Sequence, residues 1–239
     1  MATKINMAGN MKQESPSPDD FLNLYRILQS HHRFSRGWPD GDWPVSGRFD
    51  PLRFEVILGT VLTQNTRWEN VEMVLDSMAA KGLTTAGKIL ESGGDALEGA
   101  VRSSGFFRQK AAAISNICRL WESNGGIPSR DIDRKELISI PGIGPETADS
   151  ILLYVLARPE FIADAYTRRL VERLEWHDSA PSYDACKKLF EDNLPPDTEL
   201  FRKYHALIVL HARRFCRKKP LCDSCPLASA GICRFPEIR

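Results

Sequence analysis

Apolar residues recur every three or four positions along most of this chain, which is the spacing of one face of an α-helix. The first such run, with Phe21, Leu24 and Leu28, follows Ser17, whose hydroxyl suits the N-cap of a helix. No segment keeps the strict apolar–polar alternation of a half-buried strand, so the pattern predicts an all-α protein. Further helices are expected near residues 84–91, 95–103, 108–123, 133–139, 146–157, 165–174, 182–193 and 198–215.

Three stretches need separate interpretation. The apolar run over residues 54–62 could be a strand by its periodicity alone, but the pattern continues through Val71 and Leu75, which favours a buried helix. Residues 34–50 contain glycines, prolines and two tryptophans, which is typical of a loop. Residues 1–19 are polar and rich in Ser and Pro, and we expect them to form a disordered tail.

The composition of the chain excludes several classes of protein. At 239 residues the chain can bury a sizeable core, as one large domain or two small ones. No stretch approaches the ~20 apolar residues of a membrane span, and the N-terminus lacks the apolar region of a secretory signal. The net charge of +1 does not mark a nucleic-acid binder, but one local basic cluster is either a solvated face or a phosphate contact. This cluster comprises Arg213, Arg214, Arg217, Lys218 and Lys219.

Residues 137–149 have the pattern of a helix end, a tight glycine-rich hairpin and a new helix start. Gly142 and Gly144 allow a left-handed backbone or a close approach that a Cβ would resist. Pro145 suits the first turn of the second helix. Because amide groups at a helix start have no partner within the helix, the hairpin is a ready anion site.

Four cysteines near the C-terminus, Cys216, Cys222, Cys225 and Cys233, are separated by five, two and seven residues. Four thiolates with a central Cys-x-x-Cys indicate a metal site or an iron–sulfur cluster in a reducing compartment. The spacing alone leaves iron–sulfur and zinc open. The other two cysteines fall on predicted helices and are expected to be buried apolar residues: Cys118 and Cys186.

The hairpin and an acidic residue that follows it resemble a known family. Asp164 comes eighteen residues after Glu146, and the hairpin with this spacing resembles the helix-hairpin-helix DNA glycosylases of the endonuclease III superfamily. The segment 142–154 is similar to the branch that contains 3-methyladenine DNA glycosylases of the MagIII type. The resemblance covers residues 20–233.

This resemblance implies two helical lobes with a DNA-binding cleft between them. It also implies a [4Fe-4S] cluster in the C-terminal cysteine loop, which would hold a basic loop against phosphate. The chain departs from the family's usual cysteine spacing in both outer gaps, and zinc stays the alternative. The expected parts are a tail at 1–19, one lobe from 20–50 and 158–215, a central lobe at 51–157 with the hairpin at 137–150, and the four-cysteine loop at 216–233.

Asp164 matches the catalytic Asp of the superfamily. A fixed carboxylate can stabilise the positive charge that develops on the sugar and can orient or activate water. The structural alternative for Asp164 is a helix N-cap, and both roles can coexist. Bifunctional members place a Lys just after the hairpin, where it forms a Schiff base with the sugar. Here that position is Glu146, which cannot form an imine, so the resemblance implies a monofunctional glycosylase without AP-lyase activity.

Glu146 also bears on the substrate. A carboxylate beside the pocket favours a cationic base such as 3-methyladenine, and aromatic faces add cation–π attraction. The alternative for Glu146 is a first-turn acid that interacts with the helix dipole. The branch stacks aromatic residues on the extruded base, although the spacing of the two loop tryptophans departs from the adjacent Trp pair of that branch. The candidates in this chain are Trp38, Trp43 and Trp68.

A glycosylase must extrude its target base and fill the vacated space. Residues 62–66 resemble the superfamily segment whose Gln enters the DNA stack, which makes Gln64 the candidate. Residues 104–111 resemble the loop that carries a wedge residue, for which Phe106 is the candidate and a core position the alternative. The other DNA contacts implied by the resemblance are Lys110, Gly142, Gly144, Thr147 and Arg168.

The sequence thus predicts a monofunctional base-excision-repair DNA glycosylase for alkylated purines in double-stranded DNA, monomeric, cytoplasmic and associated with the nucleoid. One alternative is a glycosylase for uracil, mismatched thymine or an oxidised-base pair on the same scaffold. Another is a DNA-binding or structure-sensing protein without catalysis. The histidines share no motif and are given no role: His31, His32, His177, His205 and His211.

Overall fold

The computed structural model describes residues 15–34, 45–125, 132–177 and 180–235, and every regular element in these ranges is helical. The all-α prediction is therefore confirmed. None of the helices in this part of the chain is both long and apolar enough to span a bilayer. The helices are α1 (Pro18–His31), α2 (Leu52–Leu62), α3 (Trp68–Ala80), α4 (Ala86–Ser92), α5 (Gly94–Val101), α6 (Phe107–Ser123), α7 (Arg134–Ser139), α8 (Pro145–Ser150), α9 (Ala165–Arg173), α10 (Tyr183–Glu191), α11 (Thr198–Arg214) and α12 (Pro226–Ser229). Helix α8 continues into a π-helical turn, Ile151–Val155. A 3₁₀ turn precedes α6, Arg102–Ser104, and another precedes α12, Cys222–Ser224.

The continuous apolar pattern that starts at residue 54 forms two helices rather than one. Helix α2 is buried as predicted, but it ends at Leu62, and α3 begins at Trp68. Between them Asn65 adopts φ 52°, a left-handed conformation that a right-handed helix cannot continue. The hydrophobic pattern does not reveal this break, because both helices bury an apolar face.

The contacts divide the described chain into two compact units, one of which joins α1 to the residues from Phe161 onward. In this unit α1 packs against α11 and α12. The ring of Phe21 lies 5.0 Å from that of Phe190, which stacks on Phe161 at 4.1 Å. The hydroxyl of Tyr204 donates to Phe21 O at 2.8 Å. Each fully buried Phe adds roughly 1.5–3 kcal/mol of hydrophobic stabilisation, and this aromatic core fixes the chain just before α9.

The second unit contains α2 to α8. Helix α2 lies at its centre and packs against α6, against α8 and against the π-helical turn that follows α8. The ring of Phe54 in α2 lies 5.2 Å from that of Trp121 in α6. One core therefore carries the turn after α2, the turn before α6 and the hairpin before α8.

Candidate nucleic-acid interface and catalytic carboxylate

The hairpin between α7 and α8 is closed tightly against α6. Gly142 has φ 92°, and a Cβ built on it would lie 2.5 Å from the Cβ of Ala113. Asn116 of α6 donates from Nδ2 to Pro141 O at 3.1 Å. Gly142 thus combines a left-handed backbone with an approach too close for a side chain, as the sequence predicts.

Gly144 differs from that prediction. Its φ of −87° and ψ of 175° are extended backbone that any residue can adopt. A Cβ built there would have no atom within 4 Å. Gly144 is the N-cap of α8, with Pro145 in the first turn. The absence of a side chain leaves the backbone at this helix start open to a ligand.

An ion pair with a buried carboxylate joins the two helices of the hairpin. Arg134, at the start of α7, donates from Nε to Asp149 Oδ1 at 2.8 Å and from Nη2 to Oδ2 at 3.1 Å. Asp149 in α8 is fully buried. Because a bidentate guanidinium–carboxylate pair is geometrically specific, it fixes α7 relative to α8.

The turn after α2 is bonded to the hairpin through Gln64. Its Nε2 donates to Gly142 O at 3.1 Å and to Thr147 Oγ1 at 3.0 Å. Thr147 is only 4% exposed, so its side chain supports Gln64 and does not face a ligand. The predicted DNA contact at Thr147 is therefore wrong for the side chain, and only its backbone remains a candidate.

Phe106 lies at the tip of the turn before α6. Its side chain is 64% exposed, which excludes the core alternative. Its φ of 46° is left-handed, a conformation that costs a non-glycine residue roughly 1–3 kcal/mol unless the surroundings impose it. The structure thus places an apolar ring on the surface, as a wedge requires.

Lys110 contradicts the prediction that it contacts DNA. Its side chain is 2% exposed, and Nζ donates to Leu62 O and to Ser104 O, each at 2.8 Å. Burial lowers the pKa of Lys110 to about 8. An ammonium enclosed in this way cannot reach a phosphate. The prediction rested on the position of Lys110 in residues 104–111, the segment that resembles the wedge loop.

Two of the four predicted pocket residues lie in the described part of the chain. Glu146 is exposed in the first turn of α8, and Trp68 is half-buried at the start of α3. The other two, Trp38 and Trp43, lie outside the described residues.

Asp164 is the N-cap of α9 and is almost buried. Its Oδ1 accepts from Thr167 N at 2.8 Å and from Thr167 Oγ1 at 2.9 Å, while its Oδ2 lies 3.6 Å from His205 Nε2 of α11. Burial acts to raise the pKa of Asp164, but His205 and the two Thr167 donors together outweigh it and hold this pKa below its usual range. The cap therefore uses one oxygen of an ionised carboxylate, and the other oxygen faces a histidine.

Cys186 and Arg168 lie near Asp164, Arg168 one helical turn after it in α9. Arg168 Nε is buried and makes no hydrogen bond within the described residues. Burial, and then the charge of Asp164, raise the pKa of the Cys186 thiol to about 12, while Arg168 acts to lower it. Cys186 is thus a neutral thiol beside the carboxylate.

The four cysteines of the C-terminal loop line one cavity. Cys216 and Cys225 are buried, while Cys222 and Cys233 are half-exposed. In the ranges that the structure describes, no three His, Cys, Asp or Glu residues are grouped to hold a single metal ion. Thiolates are nevertheless the preferred ligands of both zinc and iron–sulfur clusters, so the donor set fits a thiolate-bound group.

Two nitrogen-bearing side chains contact these cysteines. Arg173 of α9 donates from Nη1 to Cys216 Sγ at 3.1 Å. His211 of α11 lies with Nε2 3.6 Å from Cys225 Sγ and with Nδ1 3.2 Å from His32 Nε2. A cationic donor next to sulfur, such as Arg173, favours the thiolate form that a bound metal requires.

A family of known proteins matches this arrangement. The HhH-GPD superfamily of base excision DNA repair proteins matches residues 58–196, more than half of the chain. The chain belongs to the HhH-GPD superfamily. A DNA repair glycosylase of Methanocaldococcus jannaschii is 41% identical over 212 residues, which cover 85% of this chain and 92% of that protein. Endonuclease III of Thermotoga maritima is 32% identical over 195 residues, which cover 80% of this chain and 85% of that protein.

Solved structures share the fold of this HhH-GPD protein. Endonuclease III in a non-covalent complex with DNA has a TM-score of 0.76 at 23% identity, covering 94% of this chain and 98% of that chain. The 3-methyladenine DNA glycosylase MagIII of H. pylori, bound to 1,N6-ethenoadenine, has a TM-score of 0.67 at 24% identity, covering 83% and 98%. The resemblance inferred from the hairpin and Asp164 is confirmed.

Sequence reasoning missed two histidines that lie at the candidate sites of this HhH-GPD protein. His205 and His211 do not share a helix face, which argues against a zinc pair, but each contacts a different partner. Both lie on the last long helix before Cys216. Their position between the predicted catalytic Asp and the first cysteine was the available signal.

Proposed function

We propose that this HhH-GPD protein is a DNA glycosylase that hydrolyses the N-glycosidic bond of alkylated purines, such as 3-methyladenine, and leaves the abasic strand uncut. The observation that carries the proposal is the ionised carboxylate of Asp164, held at the start of α9 by Thr167 and His205.

The chemistry needs one fixed negative charge. As the bond between C1′ and the base breaks, the bonding electrons leave with the base and positive charge develops on the sugar. The carboxylate of Asp164 stabilises that charge, orients the water that adds to C1′ and accepts the proton that this water loses. An N-alkylated purine is cationic and becomes neutral as it leaves, so no acid has to protonate it.

Glu146 supports two parts of the proposal, the uncut abasic strand and the alkylated purine as substrate. Its carboxylate cannot form the imine through which a Lys at this position cuts the strand. Its negative charge, exposed at the start of α8, favours a cationic base over a neutral one. Since relatives such as the Thermotoga maritima protein are named endonuclease III, strand cutting is the competing outcome.

The hairpin and the two turns beside it supply candidate DNA contacts. The open backbone at Gly144 suits a phosphate at a helix start. Exposed Phe106 suits a wedge, and Gln64, now bonded to the hairpin, suits the space that an extruded nucleotide leaves.

The four-cysteine loop is proposed to hold a [4Fe-4S] cluster with a structural role. The four cysteines line one common cavity, and the family resemblance implies a [4Fe-4S] cluster in this loop. Bound, the cluster would cross-link the loop through Cys216, Cys222, Cys225 and Cys233.

The test measures bases released from N-methylated duplex DNA by the purified full-length protein. We expect release of 3-methyladenine. Asp164→Asn should lower the rate about 100- to 1,000-fold, since Asn keeps the cap but removes the charge. Asp197→Asn, a matched change at the exposed N-cap of α11, should leave the rate unchanged.

Two substrates, one with a cationic base and one with a neutral base, test the base preference. Glu146→Gln keeps the size of the side chain and removes its charge. It should slow the release of 3-methyladenine more than the release of a neutral base such as uracil. Equal slowing of both would remove the cationic-base assignment, and undiminished release by Asp164→Asn would overturn the mechanism.

A further inference from the structure

The buried ammonium of Lys110 joins two turns whose residues enter the DNA in the proposed function. Lys110 Nζ lies 2.8 Å from the carbonyl oxygen of Leu62, the last residue of α2 before Gln64. It lies equally close, at 2.8 Å, to the carbonyl oxygen of Ser104, which precedes Phe106 by one residue. The two turns are therefore attached to a single atom of α6.

This contact is costly to build with a charged group. Taking an ammonium out of water without a carboxylate beside it is unfavourable, and burial is the cause of the lowered pKa of Lys110. The two carbonyl oxygens that it binds are both acceptors, so they cannot bond to each other. A multivalent donor between them is the direct way to keep both turns in place.

Both turns also hold a strained residue. Asn65 has φ 52° and Phe106 has φ 46°, left-handed values that persist only where the surroundings impose them. Gln64 is bonded in addition to Gly142 O of the hairpin, at 3.1 Å. Lys110 is the contact that the two strained turns share.

We infer that Lys110 is the positioning residue that sets Gln64 and Phe106 in register before DNA arrives, so that both enter the duplex as a pre-formed pair. This inference rests on the proposed function, in which these residues fill and wedge the duplex. Pre-organisation lowers the ordering entropy that binding must otherwise supply. Loss of Lys110 should therefore impair base extrusion and spare binding to undamaged duplex.

The test uses a duplex with 2-aminopurine beside a damaged base, since its fluorescence rises when the neighbouring base unstacks. Lys110→Met keeps the chain length and removes the donors, and Lys88→Met makes the same change at an exposed site. We expect Lys110→Met to lower the extrusion signal about tenfold, which corresponds to about 1.4 kcal/mol of lost pre-organisation. Its affinity for undamaged duplex should stay within about threefold, which is less than 0.7 kcal/mol.

A double variant separates positioning from general destabilisation. If Lys110 acts through Phe106 and Gln64, Lys110→Met combined with Phe106→Ala should lose less extrusion signal than the sum of the two single losses. Additive losses, or wild-type extrusion by Lys110→Met, would overturn the inference. If Phe106→Ala itself extrudes normally, the wedge role in the proposed function fails and the inference fails with it. If thermal unfolding shows Lys110→Met to be unfolded, Lys110→Gln replaces it, with the same loss expected.

Discussion

At the scale of single residues, Asp164 divides two tasks between its two oxygens. Oδ1 is bound by the donors of Thr167, a task that Asn could perform equally well. Oδ2 faces His205 from α11, and that contact favours a negative charge. The cap fixes where the carboxyl group lies, and His205 helps to fix its ionisation.

Removal of His205 should move the acid limb of the reaction to higher pH. The pKa of Asp164 is held below its ordinary value of 3.8, so activity is lost only as pH falls through that depressed value. His205→Phe removes both the donor and the charge, which raises the pKa of Asp164 and brings the loss to higher pH. The measurement is the single-turnover rate of base release from about pH 8 down to about pH 3, so that the wild-type limb is included.

Two further variants sharpen this prediction. His205→Gln keeps a donor without the charge and should restore part of the acid limb, while His31→Gln changes an exposed histidine and should leave the profile unchanged. Cys186, whose thiol interacts with Asp164, and Arg168, which interacts with that thiol, are retained in all of these variants. An identical acid limb in His205→Phe and the wild type would contradict the role of His205.

The sequence was sufficient to predict Asp164 as a helix N-cap, but not its contact with His205. A cap residue and its spacing from the hairpin can be recognised along the chain, because both are local features. The contact with His205 joins α9 to α11 and depends on how two helices pack. Lys110 shows the same limit, since its carbonyl partners come from two turns that the pattern could not place together.

At the scale of elements, the two glycines of the hairpin differ in backbone conformation and in the space around them. Gly142→Ala should lower the free energy of unfolding by about 2–4 kcal/mol, because the new methyl group meets Ala113 and the left-handed backbone is strained. Gly144→Ala should change it by less than about 1 kcal/mol, since the backbone is extended and the space is open. Denaturant unfolding of both variants measures these changes.

The same pair of variants tests the phosphate contact. A methyl group at Gly144 would block an anion from the helix start, where each charge-assisted hydrogen bond is worth about 1.5–3 kcal/mol. Duplex affinity of Gly144→Ala should therefore fall about tenfold or more, with the fold intact. Wild-type affinity in Gly144→Ala would mean that phosphate does not bind at this turn.

Helix positions were more predictable than the breaks between them. The Ser17 cap is confirmed, with its backbone N–H and hydroxyl both donating to Asp20 Oδ2 at 2.8 and 2.7 Å. The break after α2 depends on a left-handed Asn65, and Asn is only one of several residue types that can adopt that conformation. Hydrophobic periodicity reports which face is buried, not where the backbone turns.

At the scale of the whole molecule, the four-cysteine loop is bonded to elements from both ends of the chain. Helix α12, within this loop, packs against α1. His32, just after α1, lies 3.2 Å from His211, whose other nitrogen faces Cys225. Loss of the bound group should therefore weaken the packing of α1 as well as that of the loop.

Elemental analysis of the protein purified without air tests the identity of that group. We expect about four iron atoms and four labile sulfides per chain, with metal content lost in Cys222→Ser and kept in Cys118→Ser. The melting temperature should fall together with the metal content. About one zinc per chain and no iron would contradict the cluster.

The central claim is hydrolysis without strand cutting. Its most direct test measures the cleavage of an end-labelled, N-methylated duplex, with and without alkali and with borohydride present. Because Glu146 stands at the lysine position and Asp164 supports hydrolysis alone, we expect cleavage only after alkali. We expect no protein–DNA adduct to be trapped by borohydride. Cleavage without alkali, or a trapped adduct, would show that an amine of this chain forms an imine with the sugar, and would contradict the monofunctional mechanism.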